Sequence, residues 1–239
     1  MHRILISFAL LAVLLYPSFG EAGDILKVNT SIKPPFSTES ETGFFDLLIK
    51  ELGKRAGIQA ELVRQPPERA LISANEGLSD IELPRIAGME KRYPHLVMVP
   101  EKVINYRFVA FSRHNESFKD WQALSGLRVG YLIGWKIFEN NVPLSASVTK
   151  LKSPVQLMSM LAEARIDVAL YESYAGHNII QANKLSHIIE CSPPMAVKPM
   201  YIYVHNTNAY LVPLLDKHLK EMKKDGTYQR IAEETLGTD

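Results

Sequence analysis

The chain has 239 residues, of which 46% are hydrophobic and 22% charged, and this composition is typical of a globular protein rather than a disordered or fibrous one. Its 27 basic and 26 acidic residues leave a net charge of +1, which provides no electrostatic basis for binding nucleic acid or an anionic membrane. The single cysteine, Cys191, excludes an internal disulfide, and the seven histidines lack the spacing of a zinc site. We therefore expect neither a metal nor a cofactor.

The first residues have the three parts of a secretory signal. Residues 1–3 are positively charged, residues 4–15 are almost entirely apolar, and small residues follow at Ser18 and Gly20. The apolar run is too short to span a hydrocarbon core of about 30 Å, although an uncleaved anchor is the alternative. We predict a signal peptide over residues 1–22 that is cleaved near its end. No cysteine lies near the cleavage site to carry a lipid, so we expect an exported chain that is free in solution, without a membrane anchor.

Strand and helix patterns alternate after the signal. The first predicted elements are a strand at 25–30, a helix at 44–56, a strand at 59–63, a helix at 67–76 and a strand at 80–83. This β-α-β-α-β order predicts an α/β lobe with a largely parallel sheet.

The alternation restarts after two extended segments. The extended segments are residues 96–99 and 103–111, and they are followed by strands at 127–133, 148–151 and 167–171 and helices at 134–140, 155–162 and 173–182. A further extended run at 197–204 precedes two terminal helices. The second set of elements therefore predicts a second α/β lobe.

Two long strands connect the predicted lobes, one around Tyr106 and one around Tyr201. Two strands that cross between lobes form a hinge, and a ligand is expected in the cleft at the carboxyl ends of the parallel strands. We predict that lobe 1 comprises residues 23–109 plus 203–239, and that lobe 2 comprises residues 110–202.

Six short motifs resemble those of extracytoplasmic solute-binding proteins of family 3, the type that serves amino-acid ABC importers. They are Ile32 to Phe36, Gly43 to Phe45, Gly77 to Ile81, Leu124 to Gly130, Ala164 to Leu170 and Lys224 to Ile231. Each motif is weak alone, but the six occur in the family's order. The resemblance implies a two-lobed clamshell of periplasmic-binding-protein type 2 and closure on a small ligand without chemistry. It also implies a location in the periplasm and the membrane permease of an ABC importer as partner. We expect a monomer.

The chain departs from the family where a carboxylate is expected to bind. Members that bind α-amino acids usually have Gly-Thr-Thr or Gly-Thr-Ser after the first strand of lobe 2, and this chain has Gly134-Trp135-Lys136. The aspartate that usually follows the helix-opening Gly-Phe is replaced by Phe45. These departures indicate a divergent branch and leave open whether a standard α-amino acid is the ligand.

The charged candidates for ligand binding are three arginines and one acid. Arg85, Arg69 and Arg92 each offer a planar guanidinium that can hold a carboxylate with two parallel hydrogen bonds, although most arginines are solvated surface residues. Arg92 matches the family's ligand arginine with a shift in spacing. Glu172 corresponds to the acid that meets the ligand's ammonium group in amino-acid binders, and its alternative role is to cap a helix.

The aromatic candidates are Phe36, Tyr106, Trp135 and Tyr171. An aromatic ring can pack on the apolar part of a ligand or face an ammonium group by cation–π attraction. The alternative for each is ordinary core packing, which we favour for Tyr106 in the hinge strand.

The leading functional hypothesis is capture of a small polar metabolite, an amino acid or a related carboxylate or amine, for an ABC importer. The alternative is a dehydratase-type enzyme on the same fold, with Glu172 as the general acid or base. No histidine or second acid is seen to converge on Glu172, so we predict a binding protein rather than an enzyme. A signalling ectodomain is disfavoured because no membrane span follows the signal.

Overall fold

The computed structural model describes residues 25–30 and 33–237, so the predicted signal peptide lies outside the described residues. Within these ranges, no helix is both long and apolar enough to cross a membrane. The elements in chain order are β1 (Leu26–Thr30), α1 (Phe44–Ala56), β2 (Ala60–Arg64), α2 (Pro67–Asn75), β3 (Ile81–Ile86), β4 (Leu96–Met98), β5 (Ile104–Ser112), β6 (Arg128–Leu132), α3 (Lys136–Asn141), β7 (Ser147–Leu151), α4 (Pro154–Ala162), β8 (Val168–Glu172), α5 (Ser173–Ala182), β9 (Ile189–Glu190), β10 (Ala196–His205), α6 (Leu211–Lys224) and α7 (Thr227–Leu236).

The strands form two parallel groups that two antiparallel strands connect. The sheet order is β2-β1-β3-β10-β5-β8-β6-β7, with β4 paired to β10 and β9 paired to β5. Strand β1 is parallel to β2 and β3, and β6 is parallel to β7 and β8. We call the unit of β1–β4, α1, α2, α6 and α7 lobe 1, and the unit of β6–β9 and α3–α5 lobe 2. The predicted two-lobed α/β fold, with a mostly parallel sheet in each lobe, is confirmed.

Strands β5 and β10 each run from one lobe into the other. They pair with each other over Ile104–Phe108 and Ala196–Met200. Beyond this segment β5 continues along β8 of lobe 2, and β10 continues along β3 and β4 of lobe 1. This is the arrangement of a two-strand hinge, while the lobe boundaries at 109/110 and 202/203 stay predictions.

The loop between β1 and α1 is fixed by the start of α1. A Cβ atom on Gly43 would lie 2.6 Å from the carbonyl oxygen of Phe36, so only glycine fits where the loop passes the helix start. Asp46 accepts hydrogen bonds from the Gly43 amide at 2.9 Å and from the Ser37 hydroxyl at 2.6 Å. These contacts close the loop on itself and hold Phe36 against the hinge.

Candidate functional site

A cavity of about 420 Å³ lies between the lobes at the carboxyl ends of the parallel strands. Thr30 and Arg64 end β1 and β2 in lobe 1, Leu132 ends β6 in lobe 2, and Tyr171 is the penultimate residue of β8. All four line the cavity, which is therefore built at the edge where open α/β sheets bind ligands.

Four predicted aromatic residues line this cavity. The Phe36 and Tyr106 ring centroids are 4.9 Å apart, and those of Trp135 and Tyr171 are 4.8 Å apart. Phe36, Tyr106 and Tyr171 are buried, whereas Trp135 is partly exposed. The rings from both lobes and from the hinge form one apolar wall, and their role in binding stays a prediction.

Lys33 extends into these rings, and sequence reasoning did not single it out. Its Nζ donates a hydrogen bond of 2.8 Å to the Tyr106 hydroxyl and lies 4.0 Å from the centroid of the same ring. The Phe36 and Trp135 centroids are 4.7 and 5.1 Å from Nζ. The sequence feature that could have identified Lys33 as a site residue is its position directly before the two prolines of the first loop. We call Phe36, Tyr106 and Trp135 the aromatic cage of Lys33.

Glu172 lies behind the cavity rather than on its wall. It is fully buried at the end of β8, and its Oε2 accepts a hydrogen bond of 2.9 Å from the Ala175 amide, so it caps α5. Its other oxygen, Oε1, has no hydrogen-bond partner in the described part of the chain. Burial raises the pKa of Glu172 and lowers the pKa of Lys33, and each charge opposes the shift of the other. This position matches the alternative role given above, the capping of a helix. Ligand binding by Glu172 stays a prediction.

Arg85 lines the cavity but is held by other groups of lobe 1. It lies within β3, whereas the sequence placed it just beyond a strand end. Its Nε donates to Oε1 of Glu82 at 2.7 Å, and its Nη2 donates to the Pro67 carbonyl at 2.6 Å. Burial raises the pKa of Glu82 to about 7, against the opposing charge of Arg85. The guanidinium is therefore pre-oriented before any ligand arrives.

The structure does not place Arg69 or Arg92 among the residues that line this cavity. Pro67 and Leu71 of α2 line it, and Arg69 lies about 200° around the helix from Pro67, on the solvent side. Arg92 is exposed after a short helical turn. No observation supports a ligand role for either residue.

The charged residues on the wall are all basic. Those that line the cavity are Lys33, Arg64, Arg85, Lys136 and Lys152, and no aspartate or glutamate is among the described residues that line it. Two polar atoms on the wall are buried without a hydrogen-bond partner in the described chain, Oγ1 of Thr30 and Nε of Arg64. Arg64, Arg85 and Lys136 also pair with glutamates that are not among these lining residues, so the wall offers an anion hydrogen-bond donors rather than a large net positive charge.

An ion pair between Lys136 and Glu68 crosses the cleft. Nζ of Lys136, at the start of α3 in lobe 2, is 3.1 Å from Oε2 of Glu68 on α2 in lobe 1. The same ammonium group is 3.1 Å from Glu139 of its own helix. Lys136 belongs to Gly134-Trp135-Lys136, the segment that replaces the Gly-Thr-Thr or Gly-Thr-Ser of the amino-acid binders. Its ammonium group contacts the opposite lobe.

Comparison with known proteins agrees with this architecture. The family model of bacterial extracellular solute-binding proteins, family 3, matches residues 26–238. A histidine-binding periplasmic protein of Escherichia coli (strain K12) is 23% identical over 220 residues, which cover 86% of this chain and 84% of the relative. An uncharacterized protein of Shewanella oneidensis is 27% identical over 191 residues, or 76% of this chain and 70% of the relative.

Solved structures share the fold. An ancestral arginine-binding protein bound to glutamine superposes with a TM-score of 0.77 at 23% identity, over 90% of this chain and 98% of the other. The ligand-binding core of GluR0 in complex with L-glutamate gives a TM-score of 0.80 at 15% identity, over 90% and 100% of the two chains. The match of the family model to almost all of the described residues confirms the predicted membership: this chain belongs to the bacterial extracellular solute-binding proteins, family 3.

Proposed function

We propose that this protein captures a small carboxylate-bearing solute in the cleft between its lobes and delivers it to the permease of an ABC importer. The observation that carries the proposal is the charge of the cavity wall, where five basic residues and no described acidic residue surround about 420 Å³. Guanidinium and ammonium groups are the usual hydrogen-bond partners of a carboxylate.

The size of the ligand follows from the cavity and agrees with the relatives. The volume is at the lower end of the range for small-molecule sites, roughly 300–1,000 Å³. The related proteins are named for histidine and arginine binding, and one solved structure holds L-glutamate. A metabolite of amino-acid size with one or two carboxylates is therefore the proposed cargo.

The location and partners rest on the family and on the predicted signal. Family 3 proteins are extracellular solute-binding proteins, and a cleavable signal at residues 1–22 supports release into the periplasm. We propose a monomer, since one chain supplies both walls of the cavity.

No specific observation favours the dehydratase alternative. Its proposed general acid or base, Glu172, lies outside the cavity wall and holds the amide at the start of α5. A proton-transferring group must reach the reacting atoms directly or through one water. The arrangement supports binding without turnover.

A thermal-shift screen of the mature chain, residues 23–239, tests the proposal. The panel contains mono- and dicarboxylates, amino acids, alkyl amines and neutral sugars. A ligand present at about 100 times its dissociation constant stabilises the folded state by about 2.7 kcal/mol, which a melting curve resolves. We expect carboxylates to raise the melting temperature, Lys152→Met to weaken this effect, and Lys54→Met, an exposed site on α1, to leave it unchanged.

Two results would contradict the proposal. Stabilisation by amines or neutral sugars but by no carboxylate would show that the basic wall does not select the ligand. Conversion of a bound carboxylate into another compound, followed by NMR of the incubated mixture, would favour the enzyme alternative.

A further inference from the structure

Lys33 fills a position that has the chemistry of an ammonium-binding site. Three rings of the aromatic cage lie 4.0 to 5.1 Å from its Nζ, within the range of cation–π attraction, and the Tyr106 hydroxyl accepts a hydrogen bond from it at 2.8 Å. Aromatic rings that surround an ammonium group are a common way to recognise amine ligands. Here the ammonium group belongs to the protein itself.

A buried acid acts electrostatically on the Lys33 ammonium group from outside the cage. Glu172 is the largest opposite charge acting on Lys33, and it keeps one buried oxygen, Oε1, without a hydrogen-bond partner in the described chain. An uncompensated buried carboxylate is costly, and a nearby cation reduces that cost. When protonated, Lys33 thus supplies the positive charge that an amine ligand would otherwise bring to this acid.

A second ammonium group has no place on this wall. It would face Lys33 and Arg85, and the described residues that line the cavity include no carboxylate to receive it. Like charges at close range disfavour the bound state. The space is also taken, because the Lys33 side chain lies among the rings even when its amine is neutral.

We propose that Lys33 occupies the amine position of the cleft, so that the solute is a carboxylate without an α-ammonium group. This inference rests on the proposed function and narrows it from carboxylate-bearing solutes in general to des-amino carboxylates. Arg85 and the other basic residues of the wall meet the carboxylate groups. The remaining apolar part of the solute lies against Trp135 and Tyr171.

Calorimetric titration of the mature protein with three matched pairs tests the inference. Each pair shares a carbon skeleton and differs by the α-ammonium group: glutarate and L-glutamate, 3-phenylpropionate and L-phenylalanine, and imidazole-4-propionate and L-histidine. For at least one pair we expect the des-amino member to bind about tenfold more tightly or better, which corresponds to about 1.4 kcal/mol.

Two variants separate the role of Lys33 from a general loss of structure. Lys33→Ala empties the cage, and we expect the preference within the pair to shift by about tenfold or more toward the amino acid. n-Propylammonium should raise the melting temperature of Lys33→Ala and not that of the wild type. Lys33→Met keeps the cage filled without a charge, so n-propylammonium should not stabilise it. Circular dichroism confirms folding of each variant.

The outcomes distinguish the inference from the proposed function. Equal or tighter binding of the amino acids by the wild type overturns the inference alone. The inference is also overturned if a folded Lys33→Ala keeps the wild-type preference between the two members of each pair and is not stabilised by n-propylammonium. Absence of binding by every carboxylate in the pairs and in the thermal-shift panel overturns the proposed function, and the inference with it.

Discussion

Replacement of Arg85 by methionine should destabilise the protein in a manner that depends on pH. The Arg85 side chain is 15% exposed, and it bonds to Glu82, which is 1% exposed, and to the Pro67 carbonyl. Methionine retains much of the aliphatic volume but removes the charge and both donors. The variant therefore leaves a buried carboxyl and a carbonyl without these partners.

The magnitude follows from the titration of Glu82. Burial raises its pKa from 4.5 to about 7 with Arg85 present, and the pKa must rise further when the opposing charge is removed. Each further unit costs about 1.4 kcal/mol at a pH above both values. Loss of the hydrogen bonds adds about 1–3 kcal/mol at any pH. We expect a total loss of about 2–4 kcal/mol at pH 8.

The sign of the pH dependence is fixed by the raised pKa. Between about pH 4.5 and 7 the folded state binds more protons than the unfolded state, so stability is lost as the pH rises through this window. In Arg85→Met the window extends to higher pH. At pH 5 Glu82 is protonated in both folded proteins, and the penalty of the substitution should be smaller than at pH 8 by about 1 kcal/mol or more.

Urea unfolding followed by circular dichroism at pH 5 and pH 8 measures these free energies. Glu82→Gln is the matched control, because it keeps the size and removes the titration. When Glu82→Gln is already present, the loss of unfolding free energy caused by Arg85→Met should be nearly the same at pH 5 and pH 8. An equal penalty for Arg85→Met at both pH values in the wild-type background would refute the reasoning.

Two further predictions concern lobe 2. Gly176→Ala should lower the free energy of unfolding by about 1–3 kcal/mol in urea titrations, because the added Cβ would lie 2.3 Å from the ring of Phe111. The control is Ala182→Gly at the end of the same helix, which should cost less than about 1 kcal/mol. Equal losses in the two variants would contradict the predicted clash. Burial opposes ionisation of Glu190, but hydrogen bonds from His177 and two other side chains outweigh this effect and lower the pKa of Glu190 to about 2. The free energy of unfolding of the wild type should therefore fall by about 1–2 kcal/mol as the pH falls from 5 to 2.5. Glu190→Gln should lose less over that range, and parallel curves would contradict this assignment.

The architecture was predictable because its signals are local. The helical spacing that begins at Phe44, the left-handed glycine at Gly57 that ends α1, and the proline at the start of α2 all mark element boundaries. Strand β8 is buried along its whole length, as its apolar sequence indicates. The order of such elements was sufficient to predict two lobes with a crossing between them.

The site was predictable only where chain position alone determines exposure to the cleft. Phe36 and Trp135 follow strand ends, and parallel strands bring their carboxyl ends to one edge. Arg69 does not line the cavity, because packing determines which side of α2 faces the cleft. Two residues along a helix lie on nearly opposite sides, so Pro67 faces the cavity and Arg69 does not. Glu82 was not considered, since its burial depends on β10, which comes from the far end of the chain.

Lys33 shows why the amine position could not be read from the sequence. A lysine beside two prolines in a polar loop ordinarily indicates a solvated side chain. Its surroundings come from separate parts of the chain: Phe36 from its own loop, Tyr106 from the hinge, and Trp135 from lobe 2.

Lys33 also bears on how the lobes hold together. Its contacts join lobe 1 to the hinge and to lobe 2, and Glu172 of β8 attracts the same ammonium group. An amine ligand in this place would make the same contacts only while bound, and its binding energy would then favour closure. Since Lys33 is part of the chain, the attraction that these contacts provide between the lobes does not require a ligand. On the proposal above, a carboxylate needs to supply only the remaining part, through Arg85 and the other basic residues of the wall.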